Sequence, residues 1–219
     1  GILLVVQNHL SAGIVIGMVT AAMVVMSGCQ LKYLIYIMGV VLGGAALIFP
    51  FAKDKLMSSF RSDRIMAWLD PWADTSATSY QTVQSLYAIG SGGLFGVGLG
   101  ESKQKYLYIP EAHNDFIFAI IAEELGFVGC AVVLGLFAML VIRGISIAIR
   151  AKDTFGSLIA IGITALIAIQ VILNIAVVTN SIPNTGISLP FISYGGSSMV
   201  ILLAAMGILF NISRSAKKI

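Results

Sequence analysis

Residues 116–142 read FIFAIIAEELGFVGCAVVLGLFAMLVI, and apart from Glu123 and Glu124 every position is apolar or glycine. About 20 apolar residues are enough for a helix to cross a hydrocarbon core about 30 Å thick. Similar runs occur at 11–28, 33–51 and 156–178, with a shorter one at 197–212, and Gly1 to Val6 reads as the tail of a further helix. The fold class expected from this pattern is all-α, a polytopic helical membrane protein. Composition agrees: 58% of the residues are hydrophobic and 11% charged, with a mean hydropathy of +0.97, against roughly 25% charged in an ordinary soluble domain.

Several classes are excluded early. The net charge of +3 sits at the ends of apolar runs, with no basic stripe interleaved with aromatics, so no nucleic-acid footprint is visible. Cys29 and Cys130 lie in apolar stretches without CxxC spacing or a histidine neighbour, which argues against a metal or redox role. Gly1 opens inside an apolar run with no basic segment before it. That start does not read as a signal peptide, and further N-terminal sequence is expected.

Basic residues orient the spans, because short cytoplasmic loops carry the excess of lysine and arginine. Lys32 follows the first span, Arg143, Arg150 and Lys152 lie between the third and fourth, and Arg214, Lys217 and Lys218 follow the last. That side is expected to be cytoplasmic, C-terminus included, which puts 52–115 and 179–196 on the outer face. The long outer segment carries Lys53, Lys55, Arg61, Arg64, Lys103 and Lys105, but long loops are largely exempt from the rule. Its Trp68, Trp72, Tyr80, Tyr87, Tyr106 and Tyr108 argue against disorder, and interfacial aromatics are the plain explanation for several of them. The glycines at 90, 92, 93, 96, 98 and 100 match neither phosphate-binding glycine pattern and read as turns.

Two constellations have chemical potential. Glu111, His113, Asp115, Glu123 and Glu124 straddle the start of the 116–142 span. Asn114 or Asp115 is placed to cap the helix, and capping alone would account for Asp115. Glu123 and Glu124 would lie roughly 12 Å deeper in the span, with Glu123 about 80° round the helix from Asp115 and Glu124 about 180°. Ionisable groups at such depth are costly and mark functional sites by default; of the two only Glu123 could share a cavity with Asp115, and a structural pairing of Glu123 is equally open. The second constellation is TGISLPFISYGGSS, residues 185–198. Its Thr185, Ser193, Gly195, Gly196 and Ser197 offer hydroxyls and backbone amides to an anion. A carboxylate at the outer mouth of a polar pocket suits a transferase acting on a lipid-linked substrate, and equally a transporter with a carboxylate relay.

The stretch DPWADTSATSYQTVQSLYAIGSGGLFGVGLGESKQKYLYIPEAHNDFIFAIIAEELG, Asp70 to Gly126, resembles the large outer loop and following helix of the SEDS family of FtsW, RodA and SpoVE. TGISLPFISYGGSS resembles the same family's last outer loop. A weaker likeness covers QNHLSAGIVIG from Gln7, where Asn8 and His9 replace the family's Pro and Asp. Pro110-Glu111-Ala112-His113 before Asp115, with Asp70-Pro71-Trp72, is closer to the division and sporulation branch than to RodA.

The resemblance implies a ten-helix fold, of which this chain holds the last five to six helices, and an activity: polymerisation of lipid II into peptidoglycan strands. It implies Asp115 as the catalytic residue. An α-linked polyprenyl pyrophosphate donor becoming a β-1,4 glycoside is an inversion, for which one general base suffices. Charge developing on the pyrophosphate needs cations, and Arg61 and Lys105 match the family best, with Arg64 and Lys103 nearby. A divalent ion, magnesium or manganese, would serve there too. Glu111, His113 and Glu123 complete the expected substrate site. The partners implied are lipid II, a class B penicillin-binding protein and the bilayer lipids of the bacterial cytoplasmic membrane. A lipid flippase and a non-catalytic division scaffold are the competing readings.

Overall fold

The computed structural model describes residues 10–28, 59–72, 77–104 and 113–215, with isolated positions at 32, 36 and 39. The expected span at 33–51, together with Lys105 and Glu111, lies outside the described residues. So does the side chain of Arg61, although its backbone is helical.

Every regular element among the described residues is helical: α1 (Leu10–Met26), α2 (Ser59–Leu69), α3 (Ala77–Gly92), α4 (Ile117–Arg150), α5 (Thr154–Val178) and α6 (Gly196–Ser215). Three of them, α4, α5 and α6, are long and apolar enough to cross a membrane. Helices satisfy their backbone polar groups internally, which is what a hydrocarbon solvent demands. On α4 the exposed large side chains Val128, Val132, Leu136, Met139 and Ile142 recur every three or four residues. That outward stripe is apolar, so this face is built for lipid and not for water. The protein is a multi-pass membrane protein.

At the centre lies α5. Its buried positions 160, 164, 167, 171, 174 and 178 form one face, packed on α4 and α1. Asp153 caps α5, accepting from the Gly156 amide at 2.8 Å. The α4–α5 connection is only the three residues between Arg150 and Thr154, much shorter than the inner loop expected beyond Ile142. Two further turns of α4 take its place, and the short link makes the helices antiparallel neighbours. Ser157 pins the corner with a 2.7 Å bond to the Ala148 carbonyl.

The segment expected as a long outer loop contains two helices. On α3, Ser79, Thr82, Ser85, Ala88 and Gly92 are buried along one face. Side chains this small let α3 come close to its neighbours, and Ser85 bonds the Val178 carbonyl at 2.9 Å. The glycine-rich turn after α3 pairs with the backbone of α4. Val97 and Gly98 amides donate to the carbonyls of Glu123 and Glu124 at 2.9 and 3.1 Å, and Phe127 and Val128 amides donate to Gly93 and Leu94 at 2.9 and 3.1 Å.

This pairing exists because α4 is broken at Gly126, whose φ of 66° and ψ of −166° lie in a region essentially reserved for glycine. Residues 117–125 are therefore a half-helix in front of the long span, and the carbonyls released by the break are taken up by the turn. The approach is backbone to backbone: a Cβ on Gly96 would overlap the Glu124 carbonyl, and one on Gly126 would overlap Leu94.

Candidate functional site

The turn at 113–116 leads into the half-helix and carries Asp115. Phe116, not Asn114 or Asp115, occupies the N-cap position, and no side chain caps the helix. The expectation of a capping Asn114 or Asp115 is thus corrected. The reason is tertiary: the main chain of this turn is held by the segment that follows α5 and by α5 itself, which overrides the local preference.

Asn174, 0% exposed on α5, donates from Nδ2 to the carbonyls of Asp115 and Ile187, 2.7 Å each. Ser193 Oγ donates to the Asn114 carbonyl at 2.7 Å and accepts from the Leu189 amide at 2.7 Å. The Tyr194 amide donates to the His113 carbonyl at 2.8 Å. The two constellations are thereby stitched into one site through their main chains. Phe116 and Leu189 fill the core beneath it. Phe191, with φ of 64°, is a bulky residue in left-handed conformation, the kind of strain that persists where surrounding structure dictates it.

The Asp115 carboxylate faces the second constellation. A methyl replacing the Gly186 hydrogen would come within 3.4 Å of Asp115 Oδ2, and Gly186 itself sits at φ 66°. The conformation favours glycine here, whereas a methyl would meet the carboxylate in ordinary contact. Arg64 of α2 interacts electrostatically with Asp115. Its guanidinium donates to the Asn184 carbonyl at 3.0 Å. Burial lowers the Arg64 pKa from its ordinary value, and the Asp115 charge works in the opposite direction.

Helix α2 is fastened to the segment that follows α5 by a reciprocal pair: Trp68 Nε1 donates to the Asn180 carbonyl at 3.1 Å, and Asn180 Nδ2 to the Trp68 carbonyl at 3.3 Å. Arg64 and Trp68 are four residues apart, on one helix face. Beside Gly186 lies a hollow of about 280 Å³ whose polar lining is Ser11, Gln170, Thr185 and Ser188. Ser11 Oγ bonds the Thr185 carbonyl at 2.6 Å, while the buried Thr185 Oγ1 has no hydrogen-bond partner among the described residues.

The remaining expected residues fall out as follows. The His113 side chain is exposed beside Asp115. Ser193 is occupied by the stitching bonds, so its hydroxyl is structural, contrary to expectation. Gly195, Gly196 and Ser197 lie where α6 begins, directly after Tyr194. Glu123 is not brought to Asp115, another correction: it is 3% exposed and its carboxylate is engaged by Ser102, Lys103 and Gln104. The Ser-x-x-Lys spacing that marks a transpeptidase nucleophile occurs at Ser102 with Lys105 and at Ser215 with Lys218. Ser102 is buried against Glu123 and is not presented as a nucleophile. Asn174 and Asn184 were not singled out from the sequence.

Residues 1–218 match the family model described as cell cycle protein, which groups FtsW, RodA and SpoVE. The chain is 45% identical over 216 residues to stage V sporulation protein E of Bacillus subtilis strain 168, covering 99% of this chain and 57% of that protein. It is 45% identical over 216 residues to a probable peptidoglycan glycosyltransferase FtsW of Trichlorobacter lovleyi, covering 98% and 55%. A solved peptidoglycan synthase complex, described as coordinating polymerization and crosslinking, superposes with a TM-score of 0.73 at 27% identity, over 99% of this chain and 59% of that one. The chain spans a little over half the length of these relatives.

Proposed function

We propose, since this chain belongs to the FtsW, RodA and SpoVE family of cell cycle proteins, that its full-length form is a peptidoglycan glycosyltransferase that polymerises lipid II. The observation that carries the reading is the Asp115 carboxylate, which lies against Gly186 and interacts electrostatically with Arg64. Asp115 takes the proton from the 4-hydroxyl of the acceptor sugar. That oxygen attacks the anomeric carbon of the donor with inversion, and polyprenyl pyrophosphate leaves with the bonding electron pair. The hydroxyl-lined hollow beside Gly186 suits a neutral sugar, whose hydroxyls would supply the partner that Thr185 lacks.

Arg64 is a described cation that interacts electrostatically with Asp115, and Arg61 and Lys105 are carried as further phosphate-binding candidates. Magnesium or manganese at the pyrophosphate would neutralise the same charge. Among the described residues no group of three His, Cys, Asp or Glu side chains gathers to hold such an ion, and each step is assigned to the chain's own residues.

The outer face is assigned to the Asp115 side and the cytoplasm to Lys152 and the C-terminus, on the distribution of basic residues. A class B penicillin-binding protein is the proposed partner, by analogy with the synthase complex. The transporter reading needs a mobile carboxylate relay, whereas the Glu123 carboxylate is tied to loop amides. Polymerisation of purified lipid II by the full-length protein in a bilayer tests the proposal. Inactivity with its partner present, or full activity of Asp115→Asn, would sink it.

A further inference from the structure

Glu123 is buried in the half-helix that starts two residues after Asp115. One carboxylate oxygen accepts from the Lys103 amide at 3.1 Å, and the other from Ser102 Oγ and from the Gln104 amide at 3.4 Å. The Glu123 carbonyl meanwhile accepts from the Val97 amide. Segment 97–104 therefore wraps around a single residue, held by its main chain at one end and its side chain at the other. Glu124 adds a weaker hold, accepting from the Ser102 amide at 3.4 Å.

A buried carboxylate is a poor way to gain stability, because an apolar residue of similar volume often does as well or better. What it adds is a single arrangement, since each of its donors must be in place. The arrangement it imposes fixes the charged residues on either side of Ser102, with Glu101 exposed before it. Lys103 is exposed immediately beyond the buried Ser102, and the chain runs on towards Lys105.

We propose that Glu123 is a positioning residue: it clamps the Ser102–Gln104 segment onto the half-helix that follows Asp115, so that the lysine-bearing loop meets the pyrophosphate of a lipid-linked substrate at a fixed distance from the base. The proposal rests on the glycosyltransferase reading of the same site. It differs from a substrate-binding role for Glu123, which touches loop atoms only.

The test uses the full-length protein in nanodiscs with an Asp115→Asn background, so that lipid II binds without turnover. Adding Glu123→Gln, which keeps the volume but turns an amide towards the donors, should speed hydrogen exchange at the Lys103 and Gln104 amides. It should also weaken lipid II binding about tenfold. Ser102→Ala, which removes one donor and leaves both amides, should fall between. Unchanged exchange at the two amides overturns the proposal, as does faster exchange with unchanged lipid II affinity, because the clamp would then be merely structural. If Glu123→Gln does not fold, Ser102→Ala decides by the same two readings. A wild type that never polymerises lipid II, with both shifts present, would sink the polymerase reading while leaving the clamp on an anionic lipid standing.

Discussion

Asn174 and Asp115 are joined by a 2.7 Å bond from a buried side-chain amide to a backbone carbonyl, so the proposed base is held by its main chain while its carboxylate faces Gly186. Because the same nitrogen also holds Ile187, one residue of α5 sets the separation between the turn before the half-helix and the segment that follows α5.

Asn174→Leu is expected to leave both carbonyls without this donor, at a cost of about 1–3 kcal/mol for each buried group left unpaired. Thermal unfolding of the full-length protein in detergent should drop accordingly. Polymerisation should fall further than the folded fraction does. Retention of full activity in the folded variant would show that Asn174 does not set the site.

Asp115→Asn and Asp115→Ala should both insert and fold like the parent, because no capping bond is lost. Both should lose polymerisation by about 10² to 10⁴-fold, the usual contribution of a general base. Circular dichroism and melting curves check the first statement and lipid II turnover the second. A large loss of stability confined to the Ala variant would restore the capping role.

Arg64 donates to the Asn184 carbonyl and lies in the field of Asp115. Arg64→Met should weaken lipid II binding by about tenfold or more, while Arg64→Lys keeps the charge without the planar fork and should lose less. Trp68→Phe removes the Nε1 bond to Asn180 and should cost about 1 kcal/mol. Equal affinities for the Met and Lys variants would remove the charge from the account.

Gly126→Ala would place a side chain in a conformation costing about 1–3 kcal/mol and against the Leu94 carbonyl. The expected result is a lower yield of folded protein and a lower melting temperature. Gly135→Ala, with nothing near the added carbon, is the control and should melt like the parent.

Cysteines introduced at Lys152 and Tyr194 report topology. Both positions are exposed, and an impermeant maleimide added outside should label Tyr194→Cys but not Lys152→Cys. The reverse pattern would invert the orientation read from the basic residues.

The spans were legible because a bilayer forces long apolar runs, so α4, α5 and α6 stand out by composition alone. Motif resemblance singles out Asp115, while the capping rule misreads its surroundings: that rule considers only the adjacent helix, and the Asn174 amide arrives from 59 residues away. Asn174 could have been found by the reasoning applied to Glu123, since a polar side chain inside an apolar span calls for a partner. Glu123 stands out in the sequence, but helix geometry leaves open whether it meets Asp115 or a structural partner. Helical angles place it relative to its own axis and say nothing of a loop that comes to meet it. The break at Gly126 was invisible because an isolated glycine is tolerated in a helix, and nothing local distinguishes it from Gly129 or Gly135.

The pairing of 93–98 with 123–128 makes the glycine-rich turn an unusual connecting segment. Surface loops ordinarily accept inserted or deleted residues, because few of their backbone groups depend on a partner. Here four main-chain bonds run between fixed positions, so one residue more or less between Gly93 and Gly98 would put the whole set out of step and strand the carbonyls at the end of the half-helix. The turn is thus bound by a counting rule as strict as that of a strand in a sheet, and variation in loop length must be sought elsewhere along the chain.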